Sequence, residues 1–220
     1  MKAALNPELG SARALIESNA REAADLVGVL TLLLDRSDSE SLAAARMVTR
    51  RLSDRLGQLM SLERMMRSGG IRPDTWSPVD VVEELEHEAI SLAGGRVDVH
   101  VRAQELVPQC WFFDRELVTM TLGNALHNAL TYASAAVTLE FCMKDGCLGF
   151  SILDDGGAFP AELLVDGPPP LQRGECNGNA LGVYFARLVA ATHVNDGRKG
   201  RVELVNRLDG PGTRFTLWLP

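Results

Sequence analysis

Gly69-Gly70 separates two stretches whose apolar residues keep different rhythms, and that change limits what the chain can fold into. Ahead of it, Ala12, Ile16, Ala20, Ala23, Val27, Leu30 and Leu34 follow one another by threes and fours. That spacing is one face of an amphipathic helix from about Ser11 to Leu34. The polar run Asp35-Arg-Ser-Asp-Ser-Glu-Ser41 reads as a turn, with Asp38 or Ser39 placed to cap a second helix. Leu42, Ala45, Val48 or Thr49, Leu52, Leu56, Leu59 and Met66 then repeat the rhythm, with Arg46, Arg50, Arg51, Asp54 and Arg55 on the solvated side. The glycine pair ends that helix. Two such helices cannot bury both stripes on each other. Pairing with a second copy gives an antiparallel four-helix bundle, so a homodimer is expected. The alternative is that the hairpin packs on the rest of its own chain.

Beyond a short linker, Ile71 to Pro78, the pattern mixes periods. Val79 to Leu92 reads as a helix ended by Gly94-Gly95, and Val97-Asp-Val-His-Val101 alternates like a strand. Val107 to Phe113 holds a further candidate strand. Asp114 stands where it can cap a helix running to about Tyr132. Val137 to Met143 and Leu148 to Leu153 flank a Lys144-Asp-Gly146 turn and read as a hairpin. Leu181 to Thr192 reads as a helix. Val202 to Asn206 and Arg214 to Leu219 read as strands around Asp209-Gly-Pro-Gly212. The expected class is α+β: a helical hairpin domain over residues 1–70, then an α/β two-layer sandwich over 71–220.

At 220 residues and 46% hydrophobic, the chain suffices for one large domain or two small ones. A net charge of −7 argues against a phosphate backbone as direct partner, so no nucleic acid is expected. Cys110, Cys142, Cys147 and Cys176 form no C-x-x-C pair and have no histidine at metal-ligand spacing. Cys142 and Cys147 sit among apolar residues and read as reduced core thiols of a cytoplasmic protein. The strongest apolar run, Leu26 to Leu34, is far too short to span a membrane. The first ten residues lack the apolar block of a secretion signal.

The chemistry gathers in four motifs. Asn124-Ala-Leu-His-Asn128-Ala-Leu-Thr-Tyr132 puts two asparagines one helical turn apart, so both amides can aim into one pocket. Asp154-Asp155-Gly156-Gly157 follows a strand; Gly178-Asn-Ala180-Leu181-Gly182 and Gly212-Thr213 come after. A carboxylate at a strand end and two glycine-bearing turns can complete a nucleotide site. In this order and at these spacings the motifs resemble the ATP-binding domain of bacterial sensor histidine kinases, whose larger group contains gyrase, Hsp90 and MutL. The resemblance runs from the helical hairpin to the terminal Thr216-Leu-Trp-Leu-Pro220.

The resemblance implies a role for each position. Asn128 matches the asparagine that coordinates the Mg²⁺ bridging the phosphates of ATP, a task suited to an amide oxygen on a hard, hydrated cation. Asn124 matches the first asparagine of that box. Hydrolytic relatives and anti-sigma serine kinases carry a glutamate there as general base, and an amide cannot take a proton. Tyr132 matches a position near the adenine. Asp154 matches the acid that accepts from the adenine amino group, and Gly156 its turn. Ala158 stands for a second glycine, and Asp155 for the usual asparagine. Gly178, Leu181 and Gly182 match the glycine box whose N–H groups and following helix receive phosphate, with Ala180 at its middle glycine. Thr213 matches the threonine beside the adenine pocket. Ala161 to Asn177 corresponds to the ATP lid, stiffened by Pro168-Pro169-Pro170, with Arg173 either reaching phosphate or solvated. The two alanines, Asp155 and the stiff lid suggest binding weakened by about 1–3 kcal/mol, into the micromolar to millimolar range.

No histidine precedes His87. The family's phosphoacceptor position falls on Arg21, followed by Glu22, or on Ser18, and neither replaces an imidazole nucleophile. His127 lies between the two asparagines but off their face. The implied function is a dimeric, ATP-responsive two-component regulator without its own acceptor, acting on a receiver domain or partner histidine kinase. Were the chain complete, its input would come from a partner. One alternative is an ATP-dependent kinase acting in trans or through His87, His100, His127, His193 or a serine. The other is an adaptor or phosphotransferase-like protein with a vestigial cleft.

Overall fold

The computed structural model describes residues 20, 21, 23–34, 39–68, 71–103, 107–165, 178–208 and 210–220. Helix α1 occupies residues 20–34, residue 22 aside, and α2 is Ser39–Ser68. The expected start of the first helix, most of the turn after it and Gly69-Gly70 lie outside the described residues. Ala23, Ala45, Ser41, Gln58 and Ser61 are buried, whereas Val27, Leu32, Leu34, Leu42, Leu56 and Met60 are exposed. Several stripe positions therefore face solvent in the single chain. Among the described residues no helix is long and apolar enough to cross a membrane.

The chain divides into two compact units: residues up to Gly70 with Pro170–Leu181, and Ile71–Pro169 with Gly182–Pro220. In the second unit the elements after α2 are β1 (Asp74–Trp76), α3 (Pro78–Ala93), β2 (Asp98–Ala103), β3 (Trp111–Phe113), α4 (Arg115–Tyr132), β4 (Ala136–Lys144) and β5 (Cys147–Asp154). Then come α5 (Ala161–Leu164), α6 (Gly178–Thr192), β6 (Val194–Asn195), β7 (Arg198–Lys199), β8 (Arg201–Asn206) and β9 (Thr213–Leu219). Helix α6 begins in the first unit and continues into the second at Gly182.

A five-stranded sheet in the order β2-β4-β5-β9-β8 forms one layer, parallel between β2 and β4 and antiparallel elsewhere. Alternation turns Val137, Leu139 and Phe141, then Leu148, Phe150 and Ile152, then Phe215, Leu217 and Leu219, to one face. Onto that face α3 lays Val81, Val82, Leu85 and Ala89, α4 lays Val118, Leu122, Leu126 and Ala129, and α6 lays Ala186 and Ala190. Each large side chain buried there stabilises by about 1.5–3 kcal/mol. Phe113 and Phe150 meet edge to face, 6.2 Å between centroids. This is the mixed α/β layering that the alternation of periods predicts.

The other sheet face is covered by its own polar side chains. Ser151 and Thr216 share a 2.8 Å hydrogen bond, and the Trp218 indole donates to Glu203 at 2.9 Å beneath the Arg201 guanidinium. Arg102 and Arg214 flank Glu140.

Local signals set the boundaries. Ser77 accepts from the Asp80 N–H ahead of Pro78, and Gly94 closes α3 in the left-handed region. Asp114 accepts from the Leu117 N–H, the cap its place in the sequence predicts. Asp145-Gly146 takes positive φ at both residues, which suits a two-residue hairpin. Three features depart from the sequence reading. The linker contains β1, paired with β3. The 107–113 candidate shortens to Trp111–Phe113. A small hairpin, β6–β7, turns at Asp196-Gly197 right after α6.

Candidate functional site

Helix α4 is fixed by Leu117, Val118, Thr121, Leu122, Leu126, Ala129 and Leu130, all buried. Asn124 and Asn128 sit at the margin of that stripe, one turn apart and half-buried. The Asn124 Nδ2 atom is withdrawn from solvent and has no hydrogen-bond partner among the described residues. An unmatched amide donor of this kind costs about 1–3 kcal/mol, which an incoming acceptor would recover. Tyr132 ends the helix with its side chain exposed. His127 is half-buried on the same helix.

Strand β5 ends at Asp154, only 6% exposed. One carboxylate oxygen accepts the Gly156 N–H at 2.8 Å; the other accepts the Thr213 hydroxyl. Two glycines make this closeness possible. A Cβ on Gly156 would stand 2.1 Å from the Tyr132 carbonyl oxygen. Gly212 has φ 120°, and its Cβ would stand 2.0 Å from the Asp154 carbonyl oxygen. The fold thus gathers Asp154, Gly156 and Thr213 against the end of the helix that carries the two asparagines.

Asp155 takes a structural place that its sequence position does not reveal. Its carboxylate accepts the N–H groups of Ser134, Ala135 and Ala136 at 2.8–3.1 Å, tying the α4–β4 connection to the end of β5. Burial nudges its carboxyl upward, but the amides of Ala135, Ala136 and Ser134 outweigh that and hold it below the usual carboxylate range. The only signal in the sequence is a second acid directly after Asp154.

Ala158 is exposed and lies outside the positive-φ positions, so an alanine there carries no backbone strain. Ala180 has helical backbone. These two substitutions therefore give no conformational reason for a weakened site. Gly178 and Leu181 fall in the first turn of α6, within the first compact unit, and Gly182 follows in the unit that holds Asp154. Pro168-Pro169-Pro170 and Arg173 lie outside the described residues. Just before them, the Asn206 amide brackets Phe159, accepting its N–H at 2.7 Å and donating to its carbonyl at 3.2 Å. Arg187 donates to the Leu163 carbonyl of α5. Among the described residues no three His, Cys, Asp or Glu side chains form a metal cluster. Cys110, Cys142 and Cys147 are free thiols, exposed, half-buried and buried in turn; Cys176 lies outside the described residues.

Residues 113–220 match the family model described as histidine kinase-, DNA gyrase B-, and HSP90-like ATPase. No curated protein sequence matches the chain. Among solved structures it is similar to the Acinetobacter baumannii histidine kinase AdeS, with TM-score 0.62 at 17% identity, over 90% of this chain and 94% of that one. It is also similar to full-length ShkA in complex with AMPPNP, with TM-score 0.59 at 18% identity, over 94% of this chain and 45% of that one. The nucleotide-free catalytic domain of the histidine kinase ThkA gives 0.54 at 17%, over 68% of this chain and 97% of that one. At such identities the likeness establishes fold. Residues 113–220 therefore form a domain of the histidine kinase-, DNA gyrase B- and HSP90-like ATPase family.

Proposed function

We propose that this chain is a homodimeric two-component regulator of the cytoplasm that binds ATP–Mg²⁺ and has no phosphoacceptor histidine on its helical hairpin. Its ligand would be a receiver domain or a partner histidine kinase, engaged through the helices of residues 1–70. In the 71–220 domain, Asp154 and Thr213 hold the adenine edge, with Tyr132, Gly156 and Ala158 around it. Asn124 and Asn128 face the phosphates. The Asn128 amide oxygen is the protein ligand of Mg²⁺. The cation, when bound, neutralises phosphate charge and orients the phosphate chain.

The observation that carries the reading is the buried Asn124 Nδ2, without a partner among the described residues, on the helix whose last residue, Tyr132, meets the turn where Asp154 is gripped by Gly156 and Thr213. A donor left over on the asparagine side suits a phosphate oxygen or a metal-bound water. The donor set fits: amide oxygens suit Mg²⁺, which takes few protein ligands. The likeness to ShkA with AMPPNP supports a nucleotide. The exposed stripe residues Val27, Leu34, Leu42 and Leu56 support a second copy. Arg21, helical and exposed, together with the absence of any histidine before His87, supports a hairpin that takes no phosphate.

Calorimetry with ATP–Mg²⁺ at millimolar ligand tests the binding, with heat expected and its absence rejecting the reading. Incubation with ATP labelled in the γ-phosphate should leave the purified chain unlabelled. Acid-labile, base-stable label on the chain would instead establish a histidine kinase acting through one of its own later histidines.

A further inference from the structure

We infer that Asp155 is a positioning residue: by clamping the α4–β4 connection to the end of β5, it sets the spacing between the asparagine pair and Asp154 across which ATP must stretch. The inference rests on the nucleotide reading above and adds to it how the two halves of that site are kept in register.

The Asp155 carboxylate is the joint between them. Ser134 N–H reaches Oδ1 at 2.8 Å, Ala135 N–H is shared between Oδ1 and Oδ2 at 3.1 and 3.0 Å, and Ala136 N–H reaches Oδ2 at 3.1 Å. These amides lie directly between the last turn of α4 and the first residues of β4, the stretch that turns the asparagine helix back into the sheet. One residue away, Asp154 is fixed by Gly156 and Thr213. On the other side, Gly156 is pressed against the Tyr132 carbonyl. Asn128 stands one turn before Tyr132 on a helix whose core face is fully packed, so a displaced helix end carries Asn128 with it.

The chemistry of the side chain matters here. Three N–H donors spread over two oxygens need a carboxylate, which accepts at both. An asparagine of the same shape accepts at one oxygen only and would turn an NH₂ toward the Ala135 and Ala136 amides, donor against donor. The acid in place of the family's usual asparagine is therefore matched to this connection.

Full-length Asp155→Asn tests this by calorimetry with two ligands. ATP–Mg²⁺ spans both halves of the site, whereas adenosine reaches only the Asp154 half. Loss of the joint should weaken ATP–Mg²⁺ about tenfold and leave adenosine within about twofold of wild type. The retained adenosine binding also reports that the variant is folded. In an Asn124→Ala, Asn128→Ala background, Asp155→Asn should cost ATP nothing further, because the groups being positioned are gone. Equal ATP affinity in Asp155→Asn and wild type overturns the inference while leaving the nucleotide reading intact. Equal losses for ATP and adenosine overturn it too, since general loosening rather than register then explains them. A wild-type chain that binds neither ligand overturns both.

Discussion

The two ends of the candidate site are finished to different degrees. At the Asp154 end the chain itself gives each carboxylate oxygen a partner: a backbone N–H from Gly156 and a hydroxyl from Thr213, with two glycines that let the backbone close to contact. At the asparagine end the helix is equally well packed, yet the buried Nδ2 of Asn124 finds no acceptor among the described residues. Leaving such a group unmatched costs about 1–3 kcal/mol. On the proposed reading, the Asp154 end is braced by the chain itself before any ligand arrives, and the asparagine end keeps a donor for the ligand.

That contrast breaks most visibly if the finished end proves tolerant. Gly212→Val places a β-branched side chain at φ 120° with its Cβ 2.0 Å from a backbone oxygen. Strain and displacement together should destabilise the domain by about 3 kcal/mol or more, read from chemical denaturation. A loss under about 1 kcal/mol would mean that the backbone there shifts easily, and that the closeness around Asp154 is incidental.

The unfinished end should respond with the opposite sign. Asn124→Leu removes the orphaned donor and adds apolar surface at the edge of a packed helix. Without ligand the variant should gain about 1 kcal/mol in stability. The same change should abolish the rise in melting temperature that ATP–Mg²⁺ produces by mass action in the wild type. Stability and ligand response would then move in opposite directions at one residue, as expected where function and folding compete. An Asn124→Leu protein that is destabilised and still responds to ATP–Mg²⁺ would erase the distinction between the two ends.

Much of this site is legible in the sequence, for identifiable reasons. The asparagine pair shows because a four-residue spacing has only one meaning on a helix, and α4 is announced by Asp114 in front of it. Asp154 shows because a buried-strand pattern stops at an acid. What stays hidden is whatever backbone donors decide. The partners of Asp155 are the amides of Ser134, Ala135 and Ala136, 19–21 residues earlier, and no side-chain identity betrays them. Whether Ala158 is harmful depends on a φ angle that composition does not encode. β1, β6 and β7 span two or three residues each, too short for alternation to register. The parallel pairing of β2 with β4 is equally silent, since adjacency in space is set there by a helix and a strand that intervene in sequence.

The smallest effect belongs to the opposite end of α4, where the fold holds a titratable group in one protonation state. His193 is buried; its Nδ1–H donates to the Val189 carbonyl at 2.8 Å, and its Nε2 accepts the Asp114 N–H at 3.0 Å. The second bond requires the neutral ring, because a protonated Nε2 cannot accept. Burial lowers its pKa, only partly opposed by the Val189 hydrogen bond and the Asp114 charge. With the folded value below the unfolded one of about 6.5, the unfolded chain binds more protons in the interval between them. Stability contributed by neutral His193 is therefore complete above about pH 6.5 and declines as pH falls toward the folded value. Asp114 also accepts the Arg72 N–H at 2.8 Å through its carboxylate, so the loss begins at the cap of the asparagine helix and reaches the start of the domain. His193→Gln keeps an acceptor for the Asp114 N–H but does not titrate. Denaturation midpoints of wild type and variant, compared from about pH 7.5 down to pH 5, should diverge only in the lower half, with the steeper fall in wild type. Parallel curves would show that His193 fills space at the end of α6 without fixing the helix that carries Asn124 and Asn128.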